Sequence, residues 1–137
     1  MNPSLLKTLS VKTNSHRQFV DITDSIQLEV FHSGVQSGIC FLSLPHTTAG
    51  LTLNENWDPC VSADILLTLD RQTAPPHPEH RHQEGNSPAH IQSSLVGSTL
   101  FLIIEDQKIL LGPWQGIFLT EFDGPRERHV TIKIIEG

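Results

Sequence analysis

The sequence is poor in cysteine: Cys40 and Cys60 are its only two, and they stand in no metal-binding or redox spacing. A disulfide scaffold is thereby excluded, and both are expected to be buried thiols of a protein kept in a reducing compartment, the cytoplasm. Basic residues are also sparse, nine Lys and Arg against fifteen Asp and Glu, for a net charge of -6. That balance repels phosphate backbones and anionic bilayers, and no local basic patch offsets it, so neither nucleic acid nor membrane is an expected partner. No run approaches the roughly 18 apolar residues of a membrane-spanning helix. The opening MNPSLLKTLSVK lacks the apolar stretch of a signal peptide. A Gly-rich phosphate fingerprint, a nucleophile elbow and internal repeats are missing as well.

What is present fits one domain, since 137 residues is close to the roughly 150 typical of a single unit. Period-two patterning predicts strands over 5–12 and 19–22, then 38–44, 48–53, 100–104, 109–111, 117–122 and 129–135. The run 38–44 is nearly all apolar, as a strand covered on both faces is. A short helix follows Thr23, capped by Asp24 or Ser25, with Ile26 and Val30 on its inner face, Gln27, Glu29 and His32 in water, and Gly34 as its stop. A second helix is expected over 58–70, where Asp58 caps, Pro59 suits the first turn, and Val61, Ile65 and Leu69 recur at four-residue spacing. Residues 71–86 lose periodicity and gather Pro75, Pro76, Pro78 and Gly85, the mark of a long loop, of a kind that is usually functional or disordered. Ser87 and Pro88 open a third helix that ends at Gly97, with Ile91 and Leu95 facing inward. Eight or so strands with two or three inserted helices imply an α+β fold, a mostly antiparallel β-sandwich.

Histidine is the informative residue for function, because His77, His80, His82 and His90 fall within fourteen positions. Imidazole is a frequent ligand of zinc, and a catalytic site takes three protein ligands and leaves one position open. His46, His82 and His90 are a candidate set, with His80 as the alternative loop ligand; a merely solvated Pro/His-rich loop is the competing explanation. His82 and Glu84 also form the H-x-E half of a zinc-deaminase signature, but the P-C-x-x-C half is missing. His90 and Ser94 lie four apart on one helix face, and the first-turn amides from Ser87 to His90 can hold a phosphate or carboxylate. Glu55, between Asn54 and Asn56, is a candidate metal ligand or general base. Capping alone accounts for Asp58, and Asp64 is expected to face solvent or a flank. Gln115, Glu121, Asp123, Arg126 and Arg128 make a second polar group in which the arginines are candidate phosphate clamps, with Gly124–Pro125 as a turn.

The ordered blocks His46-Thr47-Thr48-Ala49, Leu51-Thr52-Leu53-Asn54-Glu55-Asn56, Asp58-Pro59, Glu84-Gly85-Asn86, Pro88-Ala89-His90-Ile91, Ser93-Ser94-Leu95 with Gly97, and Gly112-x-Trp114-Gln115-Gly116 together resemble the YjbQ family. The resemblance spans nearly the whole chain. It implies a small α+β sandwich assembled as a homotrimer. The activity it implies is that of a secondary thiamine-phosphate synthase, which joins a pyrimidine pyrophosphate to a thiazole phosphate and releases pyrophosphate. The matching polar positions are Glu55, Glu84, Gln115 and Glu121 as catalytic candidates, Asn54, Asp58, Ser94 and Arg128 as substrate-binding candidates, and His46, His82 and His90 as metal ligands. Three histidines favour zinc, whereas pyrophosphate chemistry favours magnesium on oxygen ligands. A metal-dependent hydrolase with Glu55 or Glu84 as base, and a non-enzymatic metal- or ligand-binding trimer, are the alternatives. The expected trimer has independent support in apolar strand positions, Leu110, Ile117 and Leu119, that a neighbour would cover.

Overall fold

The computed structural model describes residues 4–73 and 75–137. Among them, eight strands and three helices follow one another as β1 (Ser4–Lys12), β2 (Gln18–Asp21), α1 (Thr23–Ser33), β3 (Gly38–Ser43), β4 (Ala49–Glu55), α2 (Pro59–Thr73), α3 (Ser87–Val96), β5 (Thr99–Glu105), β6 (Lys108–Ile109), β7 (Gln115–Glu121) and β8 (Glu127–Glu136). The strands form two antiparallel sheets, one of five in the order β1-β8-β3-β5-β6 and one of three in the order β2-β7-β4. Alternation decides the core. Cys40 and Leu42 of β3, Ile132 and Ile134 of β8, and Leu51, Ile117 and Leu119 of the smaller sheet pack together with Ile26 and Val30 of α1. The fold is thus the expected α+β arrangement. No helix among the described residues is long and apolar enough to cross a membrane.

Several local expectations hold for identifiable reasons. Gly34 ends α1 at φ 74°, a backbone conformation that costs glycine nothing. Asp106 and Gln107, both at positive φ, close the tight β5–β6 hairpin. Asp58 accepts the Cys60 amide at 2.9 Å, capping α2.

Others are corrected. β3 is buried on one face only, because Ile39 is 46% exposed and among the described residues no layer covers the outer face of the larger sheet. Ile117 and Leu119 are wholly buried in the sandwich, so of the three apolar positions expected to need a neighbour only Leu110 is exposed. Gln27 is not left to water: its amide donates to Gln107 O and accepts from Ile109 N, each at 3.0 Å, tying α1 to the hairpin. Glu29 pairs with Lys7 at 3.0 Å. Cys60 is exposed at the start of α2, where nothing packs over it, while Cys40 is buried as expected. α2 runs three residues further than expected and buries no side chain completely.

Candidate functional site

The site is built where α3 lands on β4. Ile91 and Leu95, expected to face inward, are exposed instead, and the buried face is Pro88, Ala89, Gln92 and Ser93. The reason is close approach. A Cβ on Gly50 would lie 2.8 Å from Gly97 O and 2.9 Å from Val96 Cγ1, so the end of α3 sits directly on the strand and admits only small residues. Ser93 Oγ donates to Ala49 O at 2.6 Å, and Leu51 N donates to Gly97 O at 3.0 Å.

Beside this seam opens a pocket of about 440 Å3 lined by His46, Thr47, His90, Ser93, Ser94 and Ser98, with Gly97. Three hydroxyls, Thr47, Ser93 and Ser98, were not among the sequence candidates, although their nearness to His46 and Ser94 in the chain was the available signal. His46 is held by the main chain: its Nε2 accepts the His129 amide at 2.9 Å, and the two imidazoles stack with centroids 6.1 Å apart. With Nε2 occupied as an acceptor, the neutral ring carries its proton on Nδ1. Burial pushes the His46 pKa below its ordinary value, and the positive charge of Arg128 pushes it the same way. His82 reaches the same region, with its ring edge-on to His90 at 5.1 Å. Its Nε2 lies 4.0 Å from Glu84 Oε2. His80 is turned away, accepting the His77 amide at 3.1 Å.

Glu121 and Arg128 lie beneath this region with a different part to play. Both are buried, and Arg128 grips the carboxylate through Nε at 2.9 Å and through a short contact from its terminal nitrogen. Thr13 Oγ1 and the Asp123 amide fill the remaining acceptor positions at 2.8 and 3.0 Å. Burial alone would raise the Glu121 pKa, but the hydrogen bonds from Arg128, Asp123 N and Thr13 outweigh it and hold the carboxyl below its ordinary range. Arg128 also donates to Thr48 O and Oγ1, at 3.1 and 2.9 Å. The pair ties β7 and β8 to the turn behind His46. Ser94 is exposed at the pocket's edge.

The other candidates gather elsewhere. Asn54 and Glu55 close the far end of β4, where Glu55 pairs in register with Gln115. Six residue steps of about 3.3 Å put that end roughly 20 Å from Ala49. There Glu55 Oε2 accepts the Asp58 amide at 3.3 Å, and Gln115 Oε1 accepts the Gly112 amide at 2.8 Å. Trp57 and Trp114 meet edge-on beside them at 6.0 Å. Within one chain, Asn54, Glu55, Asp58 and Gln115 are thus not brought to His46 and His90.

Of the three candidate metal ligands, His46 has only its Nδ1 unengaged. The Nε2 lone pair of His46 is already engaged, and among the described residues no three His, Cys, Asp or Glu side chains are placed to hold an ion. His82 and His90 are the two imidazoles that stand together.

Comparison with known proteins gives a consistent result. The family described as "UPF0047 protein YjbQ-like" matches residues 7–137. The chain is 44% identical to the UPF0047 protein YugU of Bacillus subtilis, over 96% of this chain and 99% of that one. It is 50% identical to the UPF0047 protein MJ1081 of Methanocaldococcus jannaschii, over 96% and 94%. Among solved structures, an uncharacterized YjbQ/UPF0047 protein of Clostridium acetobutylicum superposes with a TM-score of 0.91 at 50% identity, over 94% and 99%. A YbjQ-like protein of unknown function from Sulfolobus solfataricus superposes with a TM-score of 0.93 at 32% identity over the whole of both chains.

Proposed function

The chain belongs to the YjbQ-like UPF0047 family, and from that premise we propose that it is a small-molecule enzyme acting on a phosphorylated substrate at the His46–His90 pocket. The reaction we assign is thiamine-phosphate synthesis from a pyrimidine pyrophosphate and a thiazole phosphate. One observation carries the reading: a concave pocket whose lining consists of hydroxyl and imidazole groups, with a neutral His46 bearing its proton on Nδ1. As the new C–N bond forms and the C–O bond to pyrophosphate breaks, the leaving group takes the electron pair, and charge grows on its oxygens. Fixed N–H and O–H donors from His46, Thr47, His90 and Ser94 stabilise that charge more than the ground state. The Glu121–Arg128 pair keeps the supporting turn in place.

The His82–Glu84 pair supports a second reading, a hydrolase in which Glu84 orients His82 to activate water. Assay of the purified protein with both substrates separates the two. Thiamine phosphate and pyrophosphate appearing in equal amounts supports the synthase, inorganic phosphate supports the hydrolase, and neither product with or without chelator or added zinc or magnesium overturns both. We also propose a homotrimer in the cytoplasm. Leu6, Ile39, Phe101, Ile103 and Ile135, about half exposed or more on strands of the larger sheet, support self-association. Sedimentation as a monomer at micromolar concentration would contradict it.

A further inference from the structure

The outer face of the larger sheet runs directly into the His46 pocket. Along β8, His129, Thr131, Lys133 and Ile135 alternate with buried residues and so project from that face. Register places Ser43 of β3 between Thr131 and Thr99, in the row next beyond Phe41 and Phe101. One row further on, the His129 imidazole stacks on His46. Ser98, which precedes Thr99 and accepts the Leu44 amide at 2.9 Å, lines the pocket itself. On this side the pocket is open: Thr47 is exposed, and His46 and His129 are only half-buried.

We infer that a second copy of this chain, seated on the outer face, closes the open side of the His46 pocket by covering His129, so that the working site lies between subunits. Leu6, Ile39, Phe101, Ile103 and Ile135, each about half exposed or more, leave an apolar patch on the order of 400 Å2 there. That matches the apolar share of a standard interface, which buries roughly 800 Å2 per partner and is a little over half non-polar. Among these side chains a groove of about 320 Å3, lined by Ile39, Phe41, Phe101 and Ile135 with Lys133 at its side, can seat a residue of the neighbour. A net charge of -6 turns the same face away from an anionic bilayer, the other large apolar partner available to it. The inference rests on the self-association proposed above and extends it, by giving the neighbour a part in the site.

Phe101→Glu tests it, since Phe101 is 72% exposed in the single chain and lies outside the pocket, so the new charge acts on assembly rather than on the fold. The wild type is expected to sediment as an assembly and the variant as a monomer. Diethyl pyrocarbonate, followed residue by residue by mass spectrometry, should then modify His129 about tenfold faster in the monomer. Inorganic pyrophosphate should bind the monomer about tenfold more weakly. A monomeric wild type at micromolar concentration, a variant that still assembles, His129 equally reactive in both, or equal pyrophosphate affinity in both overturns the inference. If the variant does not fold, wild-type assemblies mixed from labelled and unlabelled chains decide. Nuclear Overhauser contacts from the unlabelled copy to His129 support the inference, and none at that ring overturns it. The two readings fail differently. An assembly that leaves His129 uncovered sinks this inference and leaves the pyrophosphate pocket standing, whereas a covered His129 in a protein that binds no pyrophosphate sinks the synthase and leaves the shared boundary.

Discussion

Arg128→Met removes one half of a pair whose members are 3% and 0% exposed. The methionine fills much of the arginine's volume, but the Glu121 carboxylate loses both guanidinium contacts, and Thr48 O and Oγ1 lose their donor. Breaking a buried pair from one side costs about 3–5 kcal/mol, because the remaining charge stays in the interior uncompensated. In a domain of this size, that corresponds to a fall in melting temperature of roughly 10–20 °C. The pH dependence has a definite sign. Glu121 titrates below its ordinary value in the folded protein, so its contribution is present above pH 4.5 and is lost as pH falls through the lowered value. Without Arg128, burial is no longer offset and the carboxyl takes up its proton at higher pH, so the gap between wild type and variant should narrow from pH 7 to pH 4. Urea unfolding at both pH values measures it. A variant within 1 kcal/mol of wild type at pH 7, or a gap unchanged at pH 4, would refute the reasoning.

Thiol labelling of the folded protein should modify Cys60 and spare Cys40, whose pKa burial pushes up to about 12, and both should react after unfolding. Asp58→Ala should cost about 1 kcal/mol in urea unfolding by removing the α2 cap. Because the His46 pKa is lowered in the fold, its contribution to stability is complete above its unfolded value of 6.5 and is lost as pH falls through the folded one. The acid slope of wild-type stability between pH 7 and 5 should therefore exceed that of His46→Asn.

Much of the fold was legible because local rules and tertiary packing agree. Ile26 and Val30 share a face, Gly34 and Gly97 end their helices, and alternation places Cys40, Leu42, Ile132 and Ile134 inside. The face of α3 was misread because size, not apolarity, selects it: Gly50 brings the helix so close to β4 that Ala89 and Ser93 fit where Ile91 and Leu95 cannot. In the candidate site, the pairing of His82 with His90 was within reach of spacing, and His46 joins them in the same region. The commitment of Arg128 to Thr48, eighty residues away, was not, since no local signal separates a clamp for a ligand from a clamp for the chain itself. Nor does patterning reveal that Glu55 and His46 belong to opposite ends of one strand.

The central claim is that a pyrophosphate group binds between His46 and His90. Titrating the labelled protein with inorganic pyrophosphate, while following imidazole and indole nitrogens together, tests it most directly. The account predicts saturable shifts at His46 Nδ1 and at His90, with His46 Nε2 keeping its acceptor character and the indoles of Trp57 and Trp114 still. Shifts at the two indoles with both histidines unmoved would contradict it.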